Sequence, residues 1–305
     1  MSRKLKIGVV GAGVFGGYHA AKCAEHPRVE YVGTFDKNLT RAKAIANPKG
    51  GIAFSRYAQL LDASDAVIIA SSASHHGDGA LLALQSGCHT LIEKPIATQR
   101  DMAVKCIEVA AQRRLVLQVG HQERFVCKAI GLDKTPQAPL RIEAVRHSPY
   151  SPRGTDVSVT LDLMIHDLDM AFWLMKQDAS SVSGQTVRVR SDTADAALAF
   201  MSFPNGSVRL SASRVEAASE RIMRIVYPSG DIEIDFNAKA LRQSDGILAA
   251  GFDLNEDFGK TALAADSLKA GLDSFVASIV DGAEVAISGE DGFLALKAAL
   301  IIDGR

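Results

Sequence analysis

Short apolar runs and amphipathic stretches alternate through the first third of the chain. Positions 6–10 form an apolar run that stops at glycine, positions 14–24 carry helical spacing, and 30–35 read as a second strand. The run Asp65-Ala66-Val67-Ile68-Ile69-Ala70-Ser71 is β-branched and apolar without alternation, as a strand covered on both faces requires. Helical spacing over 79–85, a strand at 90–92, helical spacing over 102–112 and a strand at 115–119 follow. Repeated strand–helix units predict a parallel sheet with right-handed crossovers. After Gly120 the pattern changes. A strand at 141–146 and a helix at 163–175 precede closely spaced strands at 187–190, 196–203, 207–213, 221–227 and 231–236. Pro204-Asn205-Gly206 and Pro228-Ser229-Gly230 are turn signals between neighbours, so this sheet is expected to be antiparallel. Helical spacing returns at 263–280 and 292–302. The expected architecture is α/β, with a parallel domain over 1–120 and a second domain over 121–305. The second carries a large, mostly antiparallel open sheet, and the last helix is free to pack back on the first domain.

Composition narrows the function. Of 305 residues, 47% are hydrophobic and 23% charged, which suits a globular chain of about two domains and excludes disorder. With 34 basic and 35 acidic residues, the formal net charge is -1, so there is no broad basic field for a nucleic acid. No apolar stretch approaches the roughly 18 residues that span a bilayer. The basic start is followed by an apolar run that breaks at glycines, with no small-residue cleavage site, and a cytoplasmic protein is expected. Cys23, Cys88, Cys106 and Cys127 form no CxxC and no metal-ligand spacing, so reduced interior thiols and no metal are expected.

Gly11-Ala12-Gly13-Val14-Phe15-Gly16 is GxGxxG, and it follows a predicted strand and opens a predicted helix. Gly11 permits the tight turn, Gly13 lets a pyrophosphate approach the backbone, and Gly16 lets the helix sit against the strand. The helix N-terminus supplies N–H groups and partial positive charge. Asp36 ends the second strand 20 residues after Gly16, where an acid meets ribose hydroxyls. A carboxylate there repels a 2′-phosphate, so NAD is favoured over NADP, although Lys37 and Arg41 are close by.

Three further segments are Ser71-Ser72-Ala73-Ser74-His75-His76, Glu93-Lys94-Pro95, and Asp162-Leu163-Met164-Ile165-His166-Asp167. With the glycine motif, in this order and spacing, they resemble the Gfo/Idh/MocA oxidoreductases, the glucose–fructose oxidoreductase and inositol dehydrogenase family. The resemblance covers essentially the whole chain. It implies a Rossmann domain followed by an α/β domain whose open sheet forms an oligomer interface, and a homodimer or homotetramer is expected. Arg146-His147-Ser148-Pro149-Tyr150, Arg153-Gly154-Thr155-Asp156-Val157 and the segment around Asp162 resemble the branch that contains UDP-N-acetylglucosamine 3-dehydrogenases. Met164 agrees with that branch, whereas many other relatives carry a small residue there.

Oxidising a secondary alcohol needs a base for the hydroxyl proton while the cofactor accepts the hydride. The resemblance implies that Lys94, Asp162 and His166 form the catalytic set, with His166 as the base and Lys94 as the second candidate. Asp162 and His166 are four apart, so on a helix they share one face. The same resemblance implies cofactor contacts at Ser71, Ser72, His76, Glu93, Lys94, Pro95 and Gln122, and a cis peptide before Pro95. Ser71 and Ser72 replace the family's usual Thr-Pro, which leaves the shape of that loop open. Arg124 is expected to line the substrate cleft or to pair on a helix surface. Arg146, His147 and Arg153 are candidates for a diphosphate, because the Arg fork suits phosphate oxygens; ordinary surface cations are the competing reading. The leading expectation is NAD-dependent oxidation of a nucleotide-sugar hydroxyl. A dehydrogenase of a free sugar or polyol, and a non-catalytic NAD-sensing module, are the alternatives.

Overall fold

The computed structural model describes residues 3–135, 137–244 and 266–305, so positions 263–265 of the helix expected at 263–280 lie outside the described residues. The chain divides into two units, 1–121 with 268–293 and 122–267 with 294–305.

In the first unit, β1 (Leu5–Val10), β2 (Val29–Phe35), β3 (Ile52–Phe54), β4 (Ala66–Ile69), β5 (His89–Glu93) and β6 (Leu117–Gly120) form a sheet in the order β3-β2-β1-β4-β5-β6. Every pairing in it is parallel. This is the doubly wound order of a dinucleotide-binding fold, whose ligand crevice opens beyond the carboxyl ends of the strands, where the order reverses at β1 and β4. Helices α1 (Val14–Glu25), α2 (Leu39–Ala46), α3 (Tyr57–Asp62), α4 (His76–Gln85) and α5 (Arg100–Arg113) make the crossovers. Each side chain of β4 is fully buried, which explains its unbroken apolar run.

The helix Ser267–Val280 belongs with this unit and not with the second domain to which the sequence boundary assigned it. Its Leu272, Phe275 and Val276 join Leu5, Ile7, Val9, Ala20 and Cys23 in one buried cluster. The Gln118 side-chain amide donates to the Gly271 carbonyl at 2.8 Å.

In the second unit, α6 (Glu123–Ala129) and β7 (Arg141–His147) precede a π-helical turn over Thr160–Met164 that continues as α7 (Ile165–Met175). Then come β8 (Ser181–Val187), β9 (Ala196–Phe203), β10 (Gly206–Ser213), β11 (Glu220–Tyr227), β12 (Gly230–Asp235) and β13 (Ala240–Gln243). The sheet order is β13-β12-β11-β7-β10-β9-β8. It is antiparallel except where β7 inserts beside β10 in parallel. The strand expected at 187–190 lies earlier, at Ser181–Val187. The later residues form a loop because the amides of Val189, Arg190 and Ser191 all donate to the Asp195 carboxylate, at 2.8, 2.6 and 2.9 Å. Those amides are therefore diverted from any ladder.

Candidate active site

The glycine loop is built by close backbone approach. Gly11 has φ of +101°, and a Cβ there would lie 2.6 Å from the Ala70 carbonyl oxygen and 2.7 Å from the Ser71 nitrogen. A Cβ on Gly16 would collide with the Gly11 carbonyl oxygen. At Gly13 the situation is the reverse: a Cβ would meet nothing within 4 Å, so the space over the start of α1 is open. Gly13 is the N-cap and supplies no capping side chain. Val14 and Phe15, in the same turn, are exposed. Asp36 is tied to this loop. Its Oδ2 accepts the Ala12 N–H at 2.7 Å and its Oδ1 the Asn38 N–H at 2.7 Å. Lys37 lies 3.2 Å from the His75 ring. An open, uncapped helix N-terminus beside a fixed carboxylate fits a dinucleotide: the backbone of Gly13, Val14 and Phe15 would face the pyrophosphate, Gly11 and Gly16 shape that turn, and Asp36 would receive ribose hydroxyls.

The loops after β4 and β5 are joined by His76, the first residue of α4. Its Nδ1 lies 2.8 Å from the Pro95 carbonyl oxygen and its Nε2 3.0 Å from that of Ser71. The ring is buried, and burial lowers its pKa against the opposing pull of the two carbonyls. Both ring nitrogens therefore face backbone, so His76 acts as a clamp between the loops where the resemblance had implied a cofactor contact. Ser71 is half-buried and Ser72 exposed at the mouth of the same loop.

Glu93 is buried at the end of β5, with its carboxylate 2.8 Å from His19 Nε2 on α1. Burial alone would raise the Glu93 pKa, but His19 and Lys94 bring it below the ordinary carboxylate range. Gly120 is pressed against this carboxylate, since a Cβ there would be 3.1 Å from it. Lys94 is half-buried and is followed by a cis bond to Pro95. His19 was not singled out in the sequence, although its position three residues after Gly16 puts it on the buried face of α1.

In the second unit, His166 is half-buried on the first turn of α7, and its Nδ1 is 2.5 Å from Glu123 Oε2 on α6. Glu123 Oε1 accepts from the Arg146 guanidinium at 2.9 Å. Arg146 also donates two parallel bonds to Asp167, at 2.9 and 2.8 Å. The Arg146 side chain is only 3% exposed, so the diphosphate role considered for it is replaced by an interior one. Arg124 follows its pairing alternative, but in the interior and not on a helix surface: it is buried and makes two bonds to Asp169, at 2.8 and 2.6 Å. With both edges of its fork on carboxylates inside the protein, Arg146 has none left for a substrate phosphate.

Asp162 lies within the π-helical turn. The backbone at Gly154 comes so close that a Cβ there would be 2.5 Å from Asp162 Oδ2. The hydroxyls of Ser158 and Thr160 donate to the Asp303 carboxylate and anchor the turn. π-turns are short departures from α geometry that recur at functional sites. Arg153, next to Gly154, is exposed, and His147 Nε2 lies 2.9 Å from the Ser211 hydroxyl. Gln122 is half-buried at the N-cap of α6.

All four cysteines are free and buried. Burial pushes Cys23 and Cys106 up to about 12 and Cys88 up to about 11, so these thiols stay protonated and are not nucleophiles. Among the described residues, no group of three His, Cys, Asp or Glu is placed to hold a metal ion.

A family model described as an oxidoreductase family with an NAD-binding Rossmann fold, Gfo/Idh/MocA, matches residues 5–121, and a Gfo/Idh/MocA C-terminal domain model matches residues 140–233. UDP-N-acetylglucosamine 3-dehydrogenase of Acidithiobacillus ferrooxidans is 35% identical over 301 residues, 97% of this chain and 95% of that protein. A solved structure of UDP-N-acetylglucosamine 3-dehydrogenase GnnA from Acidithiobacillus ferrooxidans superposes with a TM-score of 0.87 at 34% identity, covering 99% of both chains. Inositol 2-dehydrogenase 4 of Saccharopolyspora erythraea is 32% identical over 196 residues, 60% of this chain and 57% of that protein.

Proposed function

The chain belongs to the Gfo/Idh/MocA family of NAD-binding oxidoreductases, and from that premise we propose that it oxidises the 3-hydroxyl of UDP-N-acetylglucosamine to a ketone. One observation carries the substrate: the 35% identity to a UDP-N-acetylglucosamine 3-dehydrogenase runs over 97% of this chain. The similarity to an inositol 2-dehydrogenase covers only 60%. Bound NAD supplies the hydride acceptor. His166 takes the hydroxyl proton, Asp162 orients the sugar, and Lys94 donates to the reacting oxygen. Arg153, exposed beside the Gly154 backbone, is the remaining guanidinium candidate for the diphosphate. A non-catalytic NAD sensor would have no use for this retained set.

The test is incubation with NAD and UDP-N-acetylglucosamine. NADH should appear together with a product two hydrogens lighter than the substrate. NADH from free inositol alone would transfer the assignment to a polyol, and NAD binding without NADH from any sugar would indicate a sensor.

Asp36→Ala should raise the KM for NAD roughly 10- to 100-fold, the equivalent of a charged hydrogen bond worth about 1.5–3 kcal/mol. Preference for NAD over NADP should shrink in the same variant. Unchanged selectivity would remove Asp36 from the ribose site.

We also propose a homodimer or homotetramer assembled through the open sheet. Strand β9 buries Ala197, Ala199, Met201 and Phe203 on one face and leaves Phe200, on the other, 48% exposed. Phe200→Arg should shift the sedimentation profile toward monomer; a wild-type monomer would refute the assembly. No helix among the described residues is long and apolar enough to cross a membrane. A need for NAD and a UDP-sugar suits a cytoplasmic setting.

A further inference from the structure

A histidine that accepts a proton during turnover must present one basic nitrogen and must be stabilised when it becomes charged. In this protein the carboxylate of Glu123, the residue before Arg124, is placed to meet both needs. Glu123 Oε2 lies 2.5 Å from His166 Nδ1, while Glu123 Oε1 accepts from Arg146 at 2.9 Å. The second contact fixes the carboxylate, because Arg146 is itself immobilised by two bonds to Asp167 at 2.9 and 2.8 Å. The Glu123 and His166 side chains are each 16% exposed, so solvent screens the contact only weakly.

We propose that Glu123 is the positioning residue of the catalytic base, holding His166 with its proton on Nδ1 so that Nε2 is the basic nitrogen, and stabilising the imidazolium that forms. This inference rests on His166 being the base. Glu123 acts through His166 and is not itself required to touch the sugar or NAD.

The surrounding charges favour this role. Charged and titratable groups near the pair are Arg146 on β7, Asp167 and Asp169 on α7, Arg124 and Cys127 on α6, and Asp162 one turn before His166. Arg124 and Asp169 neutralise each other. Burial holds the Cys127 thiol well up, hence neutral. Arg146 then stands between two carboxylates, Glu123 and Asp167. Among Glu123, Arg146 and Asp167 there is therefore one negative charge in excess, which a protonated His166 offsets. Burial raises the Glu123 pKa, but His166 and Arg146 outweigh it and hold the carboxyl well below its ordinary range. The coupling is mutual: a carboxylate stabilised by protonated His166 stabilises that protonated form in return.

The test measures kcat and kcat/KM against pH for the wild type, Glu123→Gln, His166→Ala and the double variant, with NAD and UDP-N-acetylglucosamine. Glu123→Gln should lose roughly 10- to 100-fold in kcat, the scale of one charge-assisted hydrogen bond, with both KM values little changed. The acidic limb of kcat/KM should move to lower pH, because His166 without its carboxylate neighbour becomes neutral sooner as pH rises. Adding Glu123→Gln to His166→Ala should cost nothing further, since the group it serves is gone. A wild-type kcat with an unmoved limb overturns the proposal, and so does a double variant slower than His166→Ala by the full Glu123→Gln factor. Wild-type turnover in His166→Ala refutes instead the base assignment on which the proposal rests. Should Glu123→Gln fail to fold, Glu123→Asp decides: it keeps the charge at a longer reach, so kcat should fall while the acidic limb stays in place, and an unchanged kcat would count against Glu123.

Discussion

Replacing His166 with alanine should lower kcat by about 10²- to 10⁴-fold, the usual contribution of a positioned general base, with the KM for NAD little changed. The separation of effects follows from where the groups sit. The residues that fit the dinucleotide, Gly11 to Gly16 and Asp36, are held within the first unit by bonds such as Ala12 N–H to Asp36 at 2.7 Å. His166 is held in the second unit by Glu123 at 2.5 Å. Lys94→Ala should also depress kcat if Lys94 is, as proposed, a donor to the reacting oxygen. Lys94→Arg should not restore it, because a guanidinium does not give up its proton and its planar fork demands different space. Steady-state kinetics with NAD and UDP-N-acetylglucosamine give both answers. Normal turnover in His166→Ala together with an inactive Lys94→Ala would make Lys94 the base; normal turnover in both would remove the mechanism.

The parts of this architecture that were legible in the sequence are those written in local patterns. The fully buried β4 announces itself as an unbroken apolar run, and the Gly11–Gly16 turn as glycines where backbone must touch backbone. Strand β3 is three residues long and escapes notice because so short a segment shows no period. Strand β8 was displaced by several residues because it is an exposed edge strand with little hydrophobic alternation, while the true loop after it contains Val189 and looks strand-like. The charges were hardest to place. Arg146 and Arg124 advertise phosphate affinity by residue type, but their partners Asp167 and Asp169 lie 21 and 45 residues away, and only the fold brings them together. Glu123 sits one residue before the Arg124 that was singled out. Asking which carboxylate could serve His166 would have put Glu123 on the list, but nothing local would have chosen it.

Arg214→Ala should destabilise the second unit by about 3–5 kcal/mol, the cost of stranding one half of a buried ion pair. Arg214 and Asp195 are 3% and 0% exposed, and Arg214 Nε donates to Asp195 at 2.9 Å. The rest of the fork serves the surrounding loops. Nη1 donates to the carbonyls of Gly154 and Val157 at 2.9 and 3.1 Å. Nη2 donates to Thr193 Oγ1 at 2.6 Å and to the Ala194 carbonyl at 3.1 Å. Alanine would leave buried acceptors without donors and a buried charge without its counterion. For a unit of this size each kcal/mol corresponds to roughly 2–4 °C, so the melting transition assigned to it should fall by roughly 6–20 °C. Activity should fall as well, because the Gly154 backbone that Arg214 anchors is the surface against which Asp162 lies. The acid side supplies a second reading. Burial would raise the Asp195 pKa, but the Ser191 hydroxyl and the amides of Arg190, Ser191 and Val189 hold it well below the usual range. Its folded-state pKa is depressed, so its stabilisation is fully present above the unfolded carboxylate value of about 4 and drains away as pH falls below it. Asp195→Asn should therefore be less stable than wild type at neutral pH and lose less on acidification. A melting temperature for Arg214→Ala within about 2 °C of wild type, less than 1 kcal/mol by the same conversion, would show that the loops are held by something other than this pair.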